Sequence, residues 1–98
     1  MGERTFYVYM LASQRNGTLY VGVTGDLAHR VWMHREGKGS AFTSKYGVHR
    51  LVWYSDFPTA LEAIAFEKRL KRWRRAWKLA KIEQMNPQWL DLYETFNC

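Results

Sequence analysis

The sequence predicts a small α+β domain: a mainly antiparallel three-stranded sheet flanked by helices, in the order β-β-α-β-α-α. Three observations predict it. Two runs rich in aromatic and β-branched residues flank an Asn-Gly pair, the arrangement of a hairpin. A third such run follows an intervening helical stretch. A long segment with apolar residues at helical spacing, opened by a capping pattern, comes next. Strands and helices in that order give a layered α+β fold.

The elements run as follows. "TFYVYMLAS" (5–13) is the first strand and "TLYVGVT" (18–24) its return, joined through "QRNG", where Asn16 and Gly17 both tolerate positive φ. Asp26 is the expected N-cap of a helix reaching about Glu36, which Gly37 and Gly39 stop. "GKGSAFTSKYG" (37–47) reads as a long polar loop whose Lys38, Ser40, Thr43, Ser44 and Lys45 can donate to phosphate. "VHRLVWYSDF" (48–57) is the third strand. Thr59 and Glu62 then form a capping box behind Pro58. The helix they open carries Ala63, Phe66, Leu70, Trp73 and Trp77 on one stripe, with a break expected near Trp73–Arg75. The spacing favours the two tryptophans as core anchors over base-stacking platforms. Asn86-Pro87 ends the segment, and "QWLDLYETF" is a tail able to dock on the core.

The totals narrow the function. Ninety-eight residues suit one domain spanning 1–98. An apolar fraction of 47% supplies a core, but a body this small favours a shallow surface site over a deep cavity. The single cysteine, Cys98, excludes an intramolecular disulfide and a cysteine-based zinc site. Nothing around Glu3 and Arg4 reads as a signal peptide, and no apolar stretch nears the ~20 residues of a membrane span. A cytoplasmic setting without membrane attachment is the expectation. The net charge of +6 attracts polyanions. Its placement is sharper: eight of the fifteen Lys and Arg lie in "KRLKRWRRAWKLAK" (68–81), and no acid interrupts them.

The ordered residues resemble the GIY-YIG nucleases, in the small stand-alone branch of that family. "YVY" (7–9) stands where GIY would be and "YVG" (20–22) where YIG would be. Arg30, His34 and Glu67 follow at family-like spacings, and the tail from Leu70 to Trp89 is also similar. The first tripeptide begins with Tyr7 instead of Gly, and Val23 stands where some members have a lysine, a cation that Lys38 or Lys45 would replace.

The resemblance implies metal-dependent hydrolysis of a DNA phosphodiester. Tyr20 would approach the attacking water, and Tyr9 would position that water or a phosphate oxygen. Gly22 would support the site. Arg30 would hold the scissile phosphate, as its planar fork suits phosphate oxygens and stays charged. His34, four residues on and on the same side of the helix, would join the nucleophile's network or act as a base. Glu67 would ligate a single Mg²⁺ or Mn²⁺, weakly held until substrate oxygens complete its shell; an ordinary i, i+4 ion pair with Lys71 is the competing role. Asn86 would support the site or simply stop a helix. Lys38, Lys45, Lys68, Lys71, Arg72 and Arg75 would contact the nucleic-acid backbone.

Structure-selective or weakly sequence-selective cutting of DNA in repair or processing is therefore expected, with RNA as the other nucleic-acid partner. A single domain has few base-reading elements. A nucleic-acid-binding module with little catalysis is the alternative, and a protein whose basic helix meets an acidic partner is a third reading. The chain is expected to be a monomer or weak dimer, with room for a protein partner.

Overall fold

The computed structural model describes residues 5–96. Glu3, Arg4 and Cys98 lie outside them. Strand β1 (Phe6–Ala12) is central, between β2 (Leu19–Thr24) and β3 (Arg50–Phe57), and both pairings are antiparallel. Helices α1 (Leu27–Arg35), α2 (Ala41–Tyr46), α3 (Ala60–Arg72), α4 (Arg75–Met85) and α5 (Leu92–Phe96) complete the chain. This is the expected α+β architecture, with two further short helices.

The alternation of each strand divides the core between the two faces of the sheet. Val8, Met10, Ala12 and Val21 meet Ala63, Leu70, Ile82 and Trp89 on one face. Tyr9 and Leu11 meet Leu27, Val31 and Val48 on the other. Strand β3 carries a bulge that puts two consecutive residues, Val52 and Trp53, on the first face. Met10 lies opposite Trp53 and Leu11 opposite Leu51, so Val52 has no partner residue.

Local chemistry fixes the helix ends. Asp26 accepts a hydrogen bond from His29 N, and Thr59 accepts one from Glu62 N while donating its hydroxyl to Glu62. The expected break falls at Trp73 and Arg74, whose ψ angles of 149° and 148° leave the helical range. The hairpin connection differs in detail from the expectation. Asn16 alone takes positive φ (59°), and Gly17 N donates to Gln14 O within a longer loop closed by Ser13 N to Thr18 O.

Two further expectations are corrected. Residues 37–47 are not one loop: Ser40 caps α2 by accepting from Thr43 N, and Gly47, at φ 64°, ends it. Trp77 is not a core anchor. It is 55% exposed, and with Trp73 it lines a shallow hollow of about 270 Å³. The fully buried tryptophan is Trp89, whose indole N–H donates to Glu83. Among the described residues, no helix is long and apolar enough to cross a membrane.

Candidate active site

The site forms where α1 and α2 cover the Tyr9 face of the sheet. In register, Tyr9 lies directly opposite Gly22. A Cβ on Gly22 would fall 2.4 Å from the Tyr9 hydroxyl, so the glycine leaves room for that ring. Helix α1 buries Leu27, Val31 and His34. The third position of this otherwise apolar stripe is thus an imidazole, and it is fully buried.

Both ring nitrogens of His34 are engaged. Nε2 lies 3.0 Å from the Tyr9 hydroxyl and Nδ1 2.9 Å from the Thr43 hydroxyl. The neighbours set the direction of the protons. The Thr43 hydroxyl donates to the Ser40 carbonyl at 3.3 Å, so it accepts from His34 Nδ1–H. Nε2 of the neutral ring then accepts from the Tyr9 hydroxyl. The result is a one-way chain from Tyr9 through His34 and Thr43 to the start of α2, with the Arg30 guanidinium close to its Tyr9 end.

The electrostatics agree with neutral partners inside this chain. Burial pulls His34 down to about 4, helped by the charges of Arg30 and His49. Burial pushes the Tyr9 hydroxyl up to about 12 against the opposing hydrogen bond from Arg30; the Tyr20 and Glu67 charges add to the rise. Hydrogen bonding with Tyr9 in turn raises Arg30.

Arg30 is only partly buried, and its Nη2 also donates to the Gly39 carbonyl at 2.9 Å. Gly39 passes so close beneath His34 that a Cβ there would fall 2.1 Å from Nδ1. Tyr20, partly exposed, sets its ring 5.1 Å from that of His34 and 6.4 Å from that of Tyr9. Tyr9, Tyr20, Arg30, His34 and Gly22 are thus brought together.

Glu67 comes from α3, on its buried stripe with Ala63 and Leu70. The ion pair with Lys71 is formed, at 2.5 Å, yet Glu67 is 7% exposed and so is not an ordinary surface partner. Among the described residues, no group of three or more His, Cys, Asp or Glu gathers as a ready-made metal cage. A lone buried carboxylate with a displaceable ammonium beside it suits a hard cation that draws its other oxygens from water and substrate.

The remaining predicted residues are dispersed. Asn86 is not brought to the tyrosines. Its amide donates to the carbonyls of Val52, in the bulge, and Leu90, and its oxygen accepts from Leu90 N. Arg75 donates to the carbonyls of Asn16 and Gly17, bracing the hairpin turn. Lys68 and Arg72 are exposed. Lys38 lies over Trp32 at 6.0 Å and Lys45 over Tyr46 at 5.4 Å. Thr43 and Gly39 also belong to the site, though their spacing in the sequence does not point to it. The local signal for α2 is a pair of caps: Ser40 and Gly47 bracket six residues as helix caps do.

The sequence matches the family described as the GIY-YIG catalytic domain over residues 5–80. The chain is 36% identical over 85 residues to a UPF0213 protein of Bacillus pumilus, covering 87% of this chain and 86% of that one. It is 39% identical over 81 residues to the UPF0213 protein OB0043 of Oceanobacillus iheyensis, covering 83% and 93%. Among solved structures, it is similar to the solution NMR structure of the UPF0213 protein BH0048 from Bacillus halodurans. The identity there is 36%, the coverage 76% of this chain and 78% of that chain, and the TM-score 0.46.

Proposed function

The chain belongs to the GIY-YIG family of nucleases, and from that premise we propose that it is a divalent-metal-dependent endonuclease acting on DNA in repair or processing. The observation that carries the reading is the chain Tyr9–His34–Thr43 with Tyr20 and Arg30 beside it. Arg30 holds the scissile phosphate and offsets the negative charge that grows on it during displacement. Tyr20 is the phenol at the solvent edge and approaches the attacking water. Tyr9 keeps its proton and fixes the position of Arg30. His34 is neutral at physiological pH, so it orients Tyr9 as an acceptor and adds no charge of its own. Glu67 would hold Mg²⁺ or Mn²⁺, in exchange for the Lys71 ammonium, as the source of Lewis-acid charge near the phosphate. Lys68 and Arg72 flank Glu67 on α3 and meet the nucleic-acid backbone.

The test is cleavage of labelled single-stranded, duplex and branched DNA with Mg²⁺, Mn²⁺ or EDTA, beside Glu67→Gln and Arg30→Ala. The expected result is metal-dependent cutting lost in both variants, with salt-sensitive binding retained by Glu67→Gln. Binding without cutting in the wild type would instead identify a nucleic-acid-binding module. Cutting that survives both substitutions would remove the site assignment.

A further inference from the structure

Helix α2 has an unusual balance for a six-residue element. It buries one side chain, Thr43, and that side chain is the hydrogen-bond partner of His34. Its two large aromatics stay open to solvent: Phe42 is 43% exposed and Tyr46 50%. They are four residues apart, hence on one face of the helix. They do not stand alone. Phe42 stacks on Tyr20, with centroids 6.3 Å apart and an interplanar angle of 28°, and Tyr46 follows Phe42 at 5.0 Å. Tyr20, Phe42 and Tyr46 therefore form a row of rings that starts in the site and runs out to solvent. Lys45 places its ammonium over the last ring, and Arg30 marks the first end with its guanidinium.

From this row we infer that Phe42 and Tyr46 are a stacking platform for unpaired nucleobases next to the phosphate held at Arg30, so that the preferred substrate is single-stranded or locally unpaired DNA. The inference rests on the nuclease reading of the site and adds its substrate class. Ring faces in water attract flat aromatic partners, and every base has such a face whatever its identity. Interleaved cations track the phosphates between successive bases. In a fully paired duplex the base faces are covered by their neighbours, and the rings have nothing to stack on. An acidic protein partner would use the cations but gain nothing from a row that begins at the catalytic tyrosine. Thr43 ties the platform to the chemistry: the helix that carries the rings also fixes His34.

The experiment uses the full chain in EDTA, so that no cleavage is needed. A short thymidine single strand carrying one 2-aminopurine is titrated with wild type, Phe42→Leu/Tyr46→Leu and Phe42→Trp/Tyr46→Phe. The same label in a fully paired duplex is the comparison. Leucine keeps apolar volume while removing the ring face, so helix content and melting check that the variant is folded. The expected result is quenching of 2-aminopurine by wild type and by the ring-retaining variant. The leucine variant is expected to lose the quenching and at least about fivefold of its single-strand affinity, beyond any loss on the duplex. Equal quenching and affinity for wild type and the leucine variant would overturn the platform. So would concentration-dependent self-association that only the leucine variant lacks, which would make this face a contact between copies. Failure to cut any DNA with Mg²⁺, with quenching intact, would remove the nuclease reading and leave the platform standing.

Discussion

His34 sits where an apolar helix would continue its stripe, and its surroundings keep it uncharged. Its pKa of about 4 lies below the ordinary 6.5 because burial and the charges of Arg30 and His49 oppose protonation. Between those values the unfolded chain binds a proton that the folded chain refuses. Stability is therefore complete above about pH 6.5 and falls as pH drops toward 4. Comparing urea midpoints at pH 7.5 and 4.5 should show a smaller acid loss in His34→Gln than in wild type. Tyr9 has the opposite sign: raised to about 12, it favours the folded state below pH 10, and that advantage is lost as pH rises through 12. Gly22 belongs to the same unit. Gly22→Ala sets a methyl 2.4 Å from a buried hydroxyl that is held by His34. The expected cost is about 1–3 kcal/mol in a denaturant melt, with cleavage falling further than stability as Tyr9 and Arg30 shift. A variant as stable and active as wild type would mean that the Tyr9 ring moves freely.

At the scale of elements, short pieces of chain hold long-range geometry. The tail covers the outer edge of β3: Asp91 accepts from Leu51 N and pairs with Arg35, and Asn86 caps the Val52 carbonyl in the bulge. Buried or edge backbone groups need such partners. At the other side of the sheet, Arg75 reaches from α4 to two carbonyls of the β1–β2 turn. Arg72, the last residue of α3, is exposed. Arg75→Ala should therefore cost about 1 kcal/mol of stability, while Arg72→Ala leaves melting unchanged and weakens DNA binding. Equal melting of the two variants would show that the brace contributes nothing.

At the scale of the whole molecule, a net charge of +6 on a body with a 12.7 Å radius of gyration gives a field that attracts nucleic acid from any direction. Local use of the cations then decides which of them bind. Lys81 lies over Trp53, Phe66 and Trp73, Lys78 donates to the Lys71 carbonyl, and Arg69 lies over Phe66. Much of the basic run thus also clothes the aromatic core. Lys68 and Arg72 remain the exposed pair beside Glu67. Removing both should reduce the slope of log affinity against log salt on a single strand by about 1.4, near 0.7 for each phosphate that is no longer neutralised. A slope unchanged by that double substitution would move the DNA path to another face.

The sequence by itself determined the three strands, the place of the hairpin, the caps at Asp26 and Thr59, the break near Trp73, and the family to which the ordered Tyr, Arg, His and Glu belong. Those features depend on residues close together in the chain: alternation, helical spacing, a cap three residues from its partner. The tertiary structure alone decided which way Tyr9, His34 and Thr43 pass their protons, that Glu67 is buried, that Arg75 is a brace and Asn86 a bulge cap. It also decided that Trp89, and not Trp77, fills the core. Helix α2 shows why. Six residues are too few to hold a helix by propensity; the Ser40 and Gly47 caps set its ends, but Thr43 drawn onto a histidine nine residues away holds it in place, and Gly39 matters only because that ring lies above it. Contacts between distant residues are fixed by how the faces of the sheet are covered, and no local spacing encodes that.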